Sequence, residues 1–109
     1  MLSGKGKGRL LKRSTILYDV PITFIGAGAM GEAMIGGLLR HELVEPGAIT
    51  ASDRHLGRLK EIRGLFRVHT TRDNRIAARK SRIVVVSVKP QVLPAVYADL
   101  KGVLRPSTL

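Results

Sequence analysis

Residues 22–35 read Ile22-Thr23-Phe24-Ile25-Gly26-Ala27-Gly28-Ala29-Met30-Gly31-Glu32-Ala33-Met34-Ile35, and this stretch decides the fold. Its first four residues form a short apolar run, rich in β-branched side chains and stopped by glycine, which reads as a buried strand. Further on, Met30, Ala33, Met34, Gly37 and Leu38 recur at i, i+3, i+4, i+7 and i+8, the apolar stripe of a helix. Between strand and helix, residues 26–31 spell G-x-G-x-x-G. Glycines are common, so the motif gains its value from this context. Gly26 permits a tight turn, Gly28 lets the backbone approach a pyrophosphate, and Gly31 lets helix and strand pack closely. The helix start adds unpaired N–H groups and the positive end of a dipole. Glu32 follows Gly31 where a P-loop needs its Lys-Ser/Thr ending, which excludes an NTPase loop.

Outward from this stretch the alternation continues. Glu45-Pro46-Gly47 punctuates a turn, and residues 48–52 follow as a second strand. Leu56, Leu59 and Ile62 mark a short helix that Gly64 is placed to cap. Residues 67–69 make a weak third strand, and a polar helix spans roughly 73–80. Residues 83–86, Ile83-Val84-Val85-Val86, carry the best strand signal, continuous and β-branched as a strand covered on both faces should be. A last helix sets Val92, Val96, Leu100 and Val103 on one side and ends near Leu104, with Pro94 in its first turn. Strands alternating with helices predict βαβ units. Right-handed crossovers then make this an α/β fold, a Rossmann-like doubly wound parallel sheet. In the 3-2-1-4 order of that fold the direction reverses between strands 1 and 4.

In such a sheet an acidic residue about 20 positions beyond the glycines, at the end of the second strand, holds the adenosine ribose of a dinucleotide. Asp53 follows Gly31 by 22 residues and fits that position, although it could equally cap the next helix. Beside it, Ser52 and Arg54 are the residue types that hold a 2′-phosphate. The carboxylate disfavours that phosphate and the Arg favours it, so NAD and NADP both stay open. Across the crevice, at the carboxyl end of the fourth strand, lies Ser87-Val88-Lys89-Pro90. Lys89 is placed to meet a nicotinamide or a substrate carboxylate; the alternative is a solvated Lys ahead of a helix-starting proline.

Composition narrows the classes further. A chain of 109 residues is one domain at most. The absence of Cys excludes a disulfide scaffold, a thiolate metal site and a Cys nucleophile. No apolar run approaches the ~18 residues of a membrane span. The net charge of +11 raises nucleic acid or an anionic membrane as partners. Residues 1–20 carry +4 of it and read as a basic, disordered extension, with a transit peptide as the alternative. Arg72, Arg75, Arg79 and Arg82 share one helical face by spacing, and we read them as a solvated face rather than an anion-binding stripe. Only 4% of residues are aromatic and none is Trp, which argues against nucleic acid, as does the lack of a recognised DNA- or RNA-binding motif. His41, His55 and His69 lack metal-ligand spacing and read as surface residues. Ser87 has no triad partners.

Residues 24–35, together with Ser52-Asp53-Arg54, residues 71–74 and Val88-Lys89-Pro90-Gln91, resemble the N-terminal domain of the pyrroline-5-carboxylate reductase family. The likeness covers about residues 20–109, in order and at matching spacing. That family reduces pyrroline-5-carboxylate to proline with NAD(P)H. The resemblance implies that Gly26, Ala27, Gly28, Ala29, Met30 and Gly31 bind the pyrophosphate. It assigns Ser52, Asp53 and Arg54 to the adenosine ribose or its phosphate, and Ser87, Val88, Lys89 and Pro90 to the nicotinamide ribose. It also gives Asn74 a cofactor contact that spacing alone does not yield.

By the same resemblance the whole enzyme takes pyrroline-5-carboxylate as a small-molecule substrate, is cytoplasmic, and oligomerises through a helical C-terminal domain. Three departures stand out. A basic extension precedes the first strand, residues 79–82 are basic where the family is acidic, and Asp53 replaces a residue that is often Ser or another small polar one. Residues 104–109 would lead into a fifth strand. The expectation is therefore a basic extension over 1–20 and an incomplete NAD(P)-binding domain over 21–109, inactive by itself. The alternatives are the cofactor domain of another NAD(P)-dependent dehydrogenase, or a non-catalytic basic fragment that binds NAD(P) or nucleic acid.

Overall fold

Successive side chains of an extended strand point to opposite faces of a sheet. Along β1 (Ile22–Ile25), Ile22 and Phe24 enter one core while Ile25 enters the other. No residue of this strand is more than 4% exposed. Burying each of its large apolar side chains is worth about 1.5–3 kcal/mol. In the computed structural model, which describes residues 17–109, β1 lies inside a four-stranded parallel sheet. Its companions are β2 (Ile49–Ser52), β3 (His69–Thr71) and β4 (Ile83–Val86), in the expected order β3-β2-β1-β4. Phe24 sits level with Ala51 on one side and Val85 on the other.

Three helices form the crossovers, α1 (Ala29–Arg40), α2 (Leu56–Phe66) and α3 (Asn74–Arg79), and α4 (Leu93–Leu100) follows β4. Ile35 of α1 and Leu59 and Ile62 of α2 close over Ile22 and Phe24 on one face. Ala78 of α3 and Val96 and Leu100 of α4 close over Ile25 on the other. Helices on both faces make the sheet doubly wound, as the alternation of elements predicts. The Thr23 hydroxyl, wholly buried, donates to the Ala77 carbonyl at 3.0 Å and also meets the Ser81 hydroxyl. A buried polar group is tolerated here because its bonds are made, and they tie the end of α3 to β1.

The structure moves several expected boundaries. Gly64 does not cap α2; it lies within the helix, which runs on to Phe66. The left-handed cap falls to Arg67, at φ 58°, whose N–H donates to the Arg63 carbonyl. Burial of Phe66 and Val68 against the core decides this ending rather than the glycine. β3 begins at His69 instead of Arg67 for the same reason, since Arg67 is spent on the cap. α4 ends at Leu100, short of Leu104, and Gly102 at φ 79° turns the chain.

β4 meets both cores, Ile83 and Val85 on one face and Val84 on the other, but it is only partly covered. Its residues are half-buried and Val86 is 40% exposed, because the strand lies at the sheet edge while β1 takes the centre. Along that edge the Leu109 N–H donates to the Arg82 carbonyl and the Val84 N–H to the Leu109 carbonyl, both at 2.7 Å, the pattern of a parallel neighbour.

The four-arginine face also breaks up. Only Arg75 and Arg79 lie in α3; Arg72 precedes its Asp73 cap and Arg82 follows its end. Of the segment read as an extension, residues 1–16 lie outside the described residues. Leu17 and Val20 pack against the core, and the Tyr18 carbonyl accepts from the Glu45 N–H.

Candidate functional site

The site is built where β1 stops. The Gly26 N–H donates to the Ser52 carbonyl at the end of β2, and the Ser87 N–H donates to the Ile25 carbonyl, each at 2.8 Å. Gly26 is therefore held between the carboxyl ends of three strands, at φ 99°, a conformation open to glycine. A Cβ there would strike the Ser87 carbonyl oxygen and lie 2.8 Å from Val88 Cγ1. At Gly31 a Cβ would come within 2.5 Å of the Gly26 carbonyl oxygen. Both glycines are demanded by the packing of strand, turn and helix.

Gly28 differs. Its φ of −76° suits any residue, and a Cβ on it would meet nothing within 4 Å. The space beside Gly28 is open, so the fold itself does not require glycine there. Gly28 is the N-cap of α1 and offers no side chain to the first turn, whose N–H groups have no partner within the helix. These groups and the helix dipole form an anion-accepting end beside an uncluttered backbone.

One wall of the crevice comes from the end of β2. Asp53 Oδ2 accepts the Ala27 N–H at 2.8 Å, while Oδ1 accepts the His55 N–H and its ring Nδ1–H, each at 2.9 Å. Burial by itself would raise the Asp53 pKa. The bonds from the Ala27 and His55 backbone and the His55 ring outweigh it and hold the carboxyl below its ordinary range. Asp53 therefore binds the glycine turn directly, and its side chain is only 15% exposed.

From the first turn of α2, Arg58 donates to the carbonyls of Ala27 and Gly28 and to Glu32 Oε1 at 2.5 Å, with Glu61 at 3.3 Å. Glu32 is the largest influence raising the pKa of Arg58 above its already high value. Deeper in, the Ser52 hydroxyl donates to Asn74 Oδ1 at 2.5 Å, and Asn74 Nδ2 donates to Asp99 Oδ2 at 3.1 Å. On the far wall the Ser87 hydroxyl donates to the Gly26 carbonyl at 2.8 Å.

Together these walls enclose a cleft of about 490 Å³, within the range of small-molecule sites. Of the residues expected at the site, Gly26, Gly28, Ser52, Asp53, Arg54, Asn74, Ser87, Val88 and Lys89 line it. Ala27, Ala29, Met30, Gly31 and Pro90 are not among its lining. Ala27 and Gly31 are buried beneath the turn, and Met30 is 68% exposed. His55, read as a surface residue, is exposed yet forms part of the cleft mouth.

Arg58, Val92, Ala95, Val96 and Asp99 also line the cleft, although none of them is expected at the site from the sequence. Val92, Val96 and Asp99 stand at i, i+4 and i+7, so Asp99 shares a helical face with two residues already marked as inward. That spacing was a usable signal. Arg58 gave none, because its position depends on how α2 crosses the glycine turn.

A parallel sheet that changes direction between β1 and β4, with this glycine turn at the switch point, defines a Rossmann-type dinucleotide-binding domain. The profile of the family described as NADP oxidoreductase coenzyme F420-dependent matches residues 21–109, and the chain belongs to that family. Among curated relatives, the pyrroline-5-carboxylate reductase of Methanosarcina acetivorans is 38% identical over 81 residues, covering 74% of this chain and 30% of the relative. That of Pseudomonas aeruginosa is 40% identical over 88 residues, covering 81% of this chain and 32% of the relative. The solved pyrroline-5-carboxylate reductase of Coxiella burnetii superposes with a TM-score of 0.76 at 35% identity, over 81% of this chain and 32% of that one. The chain thus spans about a third of the length of the relatives it matches. Among the described residues no helix is long and apolar enough to cross a membrane.

Proposed function

We propose that this chain is the NAD(P)H-binding domain of a pyrroline-5-carboxylate reductase-like oxidoreductase, comprising residues 21–109 preceded by a basic extension over 1–20. The observation that carries the reading is Gly28. It is a glycine that neither backbone conformation nor neighbouring atoms require, beside open space at a helix start. A pyrophosphate approaching the backbone supplies the missing reason.

In this reading residues 26–31 receive the pyrophosphate. Ser52, Asp53, Arg54 and Asn74 face the adenosine half, and residues 87–90 face the nicotinamide ribose. The bound nicotinamide supplies the hydride for reduction of a C=N bond, 1-pyrroline-5-carboxylate to L-proline in the whole enzyme. The chain's own residues hold and orient: Asp53 and Arg58 brace the glycine turn from behind, and Ser87 ties it to the opposite wall. Lys89, exposed at the cleft edge, stands where a substrate carboxylate or the nicotinamide ribose would lie. We place the whole enzyme in the cytoplasm, assembled through a C-terminal domain of the kind its relatives have room for.

Calorimetric titration of the 109-residue chain with NADH and with NADPH tests the reading. Saturable binding of at least one is expected. Binding of neither by a chain that circular dichroism shows to be folded would overturn it.

A further inference from the structure

We propose that the adenosine end of this cleft selects the dinucleotide with a free 2′-hydroxyl, NAD(H), over the 2′-phosphorylated form, and that Asp53 sets the choice. The inference rests on the cleft being a dinucleotide site. Three observations carry it.

Asp53 cannot swing away from an incoming phosphate. Three hydrogen bonds hold its carboxylate, two on Oδ1 and one on Oδ2. A carboxylate oxygen accepts up to two bonds, so Oδ2 retains an acceptor position that suits a ribose hydroxyl and repels a phosphate oxygen. Its lowered pKa keeps it ionised at neutral pH.

Arg58 is the cation in the same wall that would otherwise greet a 2′-phosphate, and its guanidinium is already committed. It bonds the Ala27 and Gly28 carbonyls and two carboxylates, Glu32 and Glu61. Its charge is answered from within the protein, and turning it toward a ligand would release the glycine turn.

The local charge also runs against the whole. Although the chain carries +11, this end of the cleft gathers Asp53, Asp99 and, through Arg58, Glu32 and Glu61, against the cations Arg54 and Arg58. Arg54 is exposed, where water and salt weaken its pull on a phosphate. Asp53 is 15% exposed and screened less.

The test is titration of the full chain with NADH and NADPH at low and high ionic strength (about 20 and about 500 mM), where screening separates repulsion from attraction. NADH is expected to bind at least about tenfold tighter at low salt, a difference of about 1.4 kcal/mol. The ratio should shrink as salt rises, because repulsion of the extra phosphate is screened. Asp53→Ser should close most of the gap by strengthening NADPH binding. Because that substitution also removes the Ala27 bond, the salt trend of the unmodified chain stands as the second, independent measurement. NADPH binding as tightly as NADH, or a ratio that grows with salt, overturns the proposal and leaves the dinucleotide site standing. Failure of both dinucleotides to bind the folded chain overturns this inference and the proposed function together.

Discussion

Gly26 and Gly28 look alike in the sequence and do opposite work. Gly26 is required by the fold, through a left-handed φ and the Ser87 carbonyl against it. Gly28 has ordinary φ and empty surroundings. Gly26→Ala should therefore lower stability by roughly 1–3 kcal/mol from backbone strain alone, with the clash adding to it. Gly28→Ala should change stability by less than about 1 kcal/mol yet weaken dinucleotide binding at least about tenfold. Urea unfolding and calorimetry on the two variants give both readings, and unchanged binding by Gly28→Ala would remove the pyrophosphate from that position. Asp53 makes a prediction in pH. Its pKa is held below the ordinary value in the folded chain and is ordinary when unfolded, so its contribution to stability is complete above the ordinary carboxylate range, around pH 4. That contribution is lost as pH falls through the lowered value. Asp53→Asn should be less stable than the parent at neutral pH, and the difference in urea midpoint should narrow on acidification. The acidic position itself was legible 22 residues beyond Gly31. Its bond to the Ala27 N–H was not, since nothing in spacing shows which way a carboxylate turns.

Among the elements, α2 separates local signal from tertiary outcome most clearly. Glycine is the ordinary C-terminal cap, and Gly64 stands near the end of the apolar periodicity. The helix nevertheless continues to Phe66, whose side chain packs on the core, and Arg67 adopts the left-handed cap at φ 58°. Gly64→Ala should then stabilise the protein by about 0.5–1 kcal/mol, as alanine does within a helix. A cap at Gly64 would give the opposite sign, and thermal or urea unfolding of the variant distinguishes the two. The same competition explains β4. Its continuous β-branched run suits burial, but strand order leaves it at an edge and Val86 40% exposed. By contrast β1 and the starts of α1 and α3 fell close to expectation, because the glycine turn ends β1 and opens α1, and the Asp73 side chain, accepting from the N–H groups of Arg75 and Ile76, starts α3.

At the scale of the molecule, two cores on either side of one parallel sheet bring the ends of β1, β2 and β4 together around a single cleft. The chain covers about a third of its reductase relatives, so we expect it to bind dinucleotide without reducing pyrroline-5-carboxylate. Joining it to the remaining region of such a relative should restore turnover. Spectrophotometric assay of nicotinamide oxidation checks this, and reduction by the chain alone would place the whole substrate pocket within these residues. The sequence by itself determined the succession of strands and helices, their order in the sheet, and the glycine turn. The succession and the turn follow from periods of 2 and 3.6 residues and from local φ requirements, which are properties of neighbours along the chain. The strand order follows from the Rossmann pattern that the glycine turn marks. Only the tertiary structure decided which polar and charged groups meet. Asp53 binds the turn at Ala27, Glu32 answers Arg58, and Asn74 bridges Ser52 to Asp99, pairs separated by 22 to 26 positions. Their meeting depends on how crossovers stack helices against the sheet, a distance that no spacing along the chain encodes.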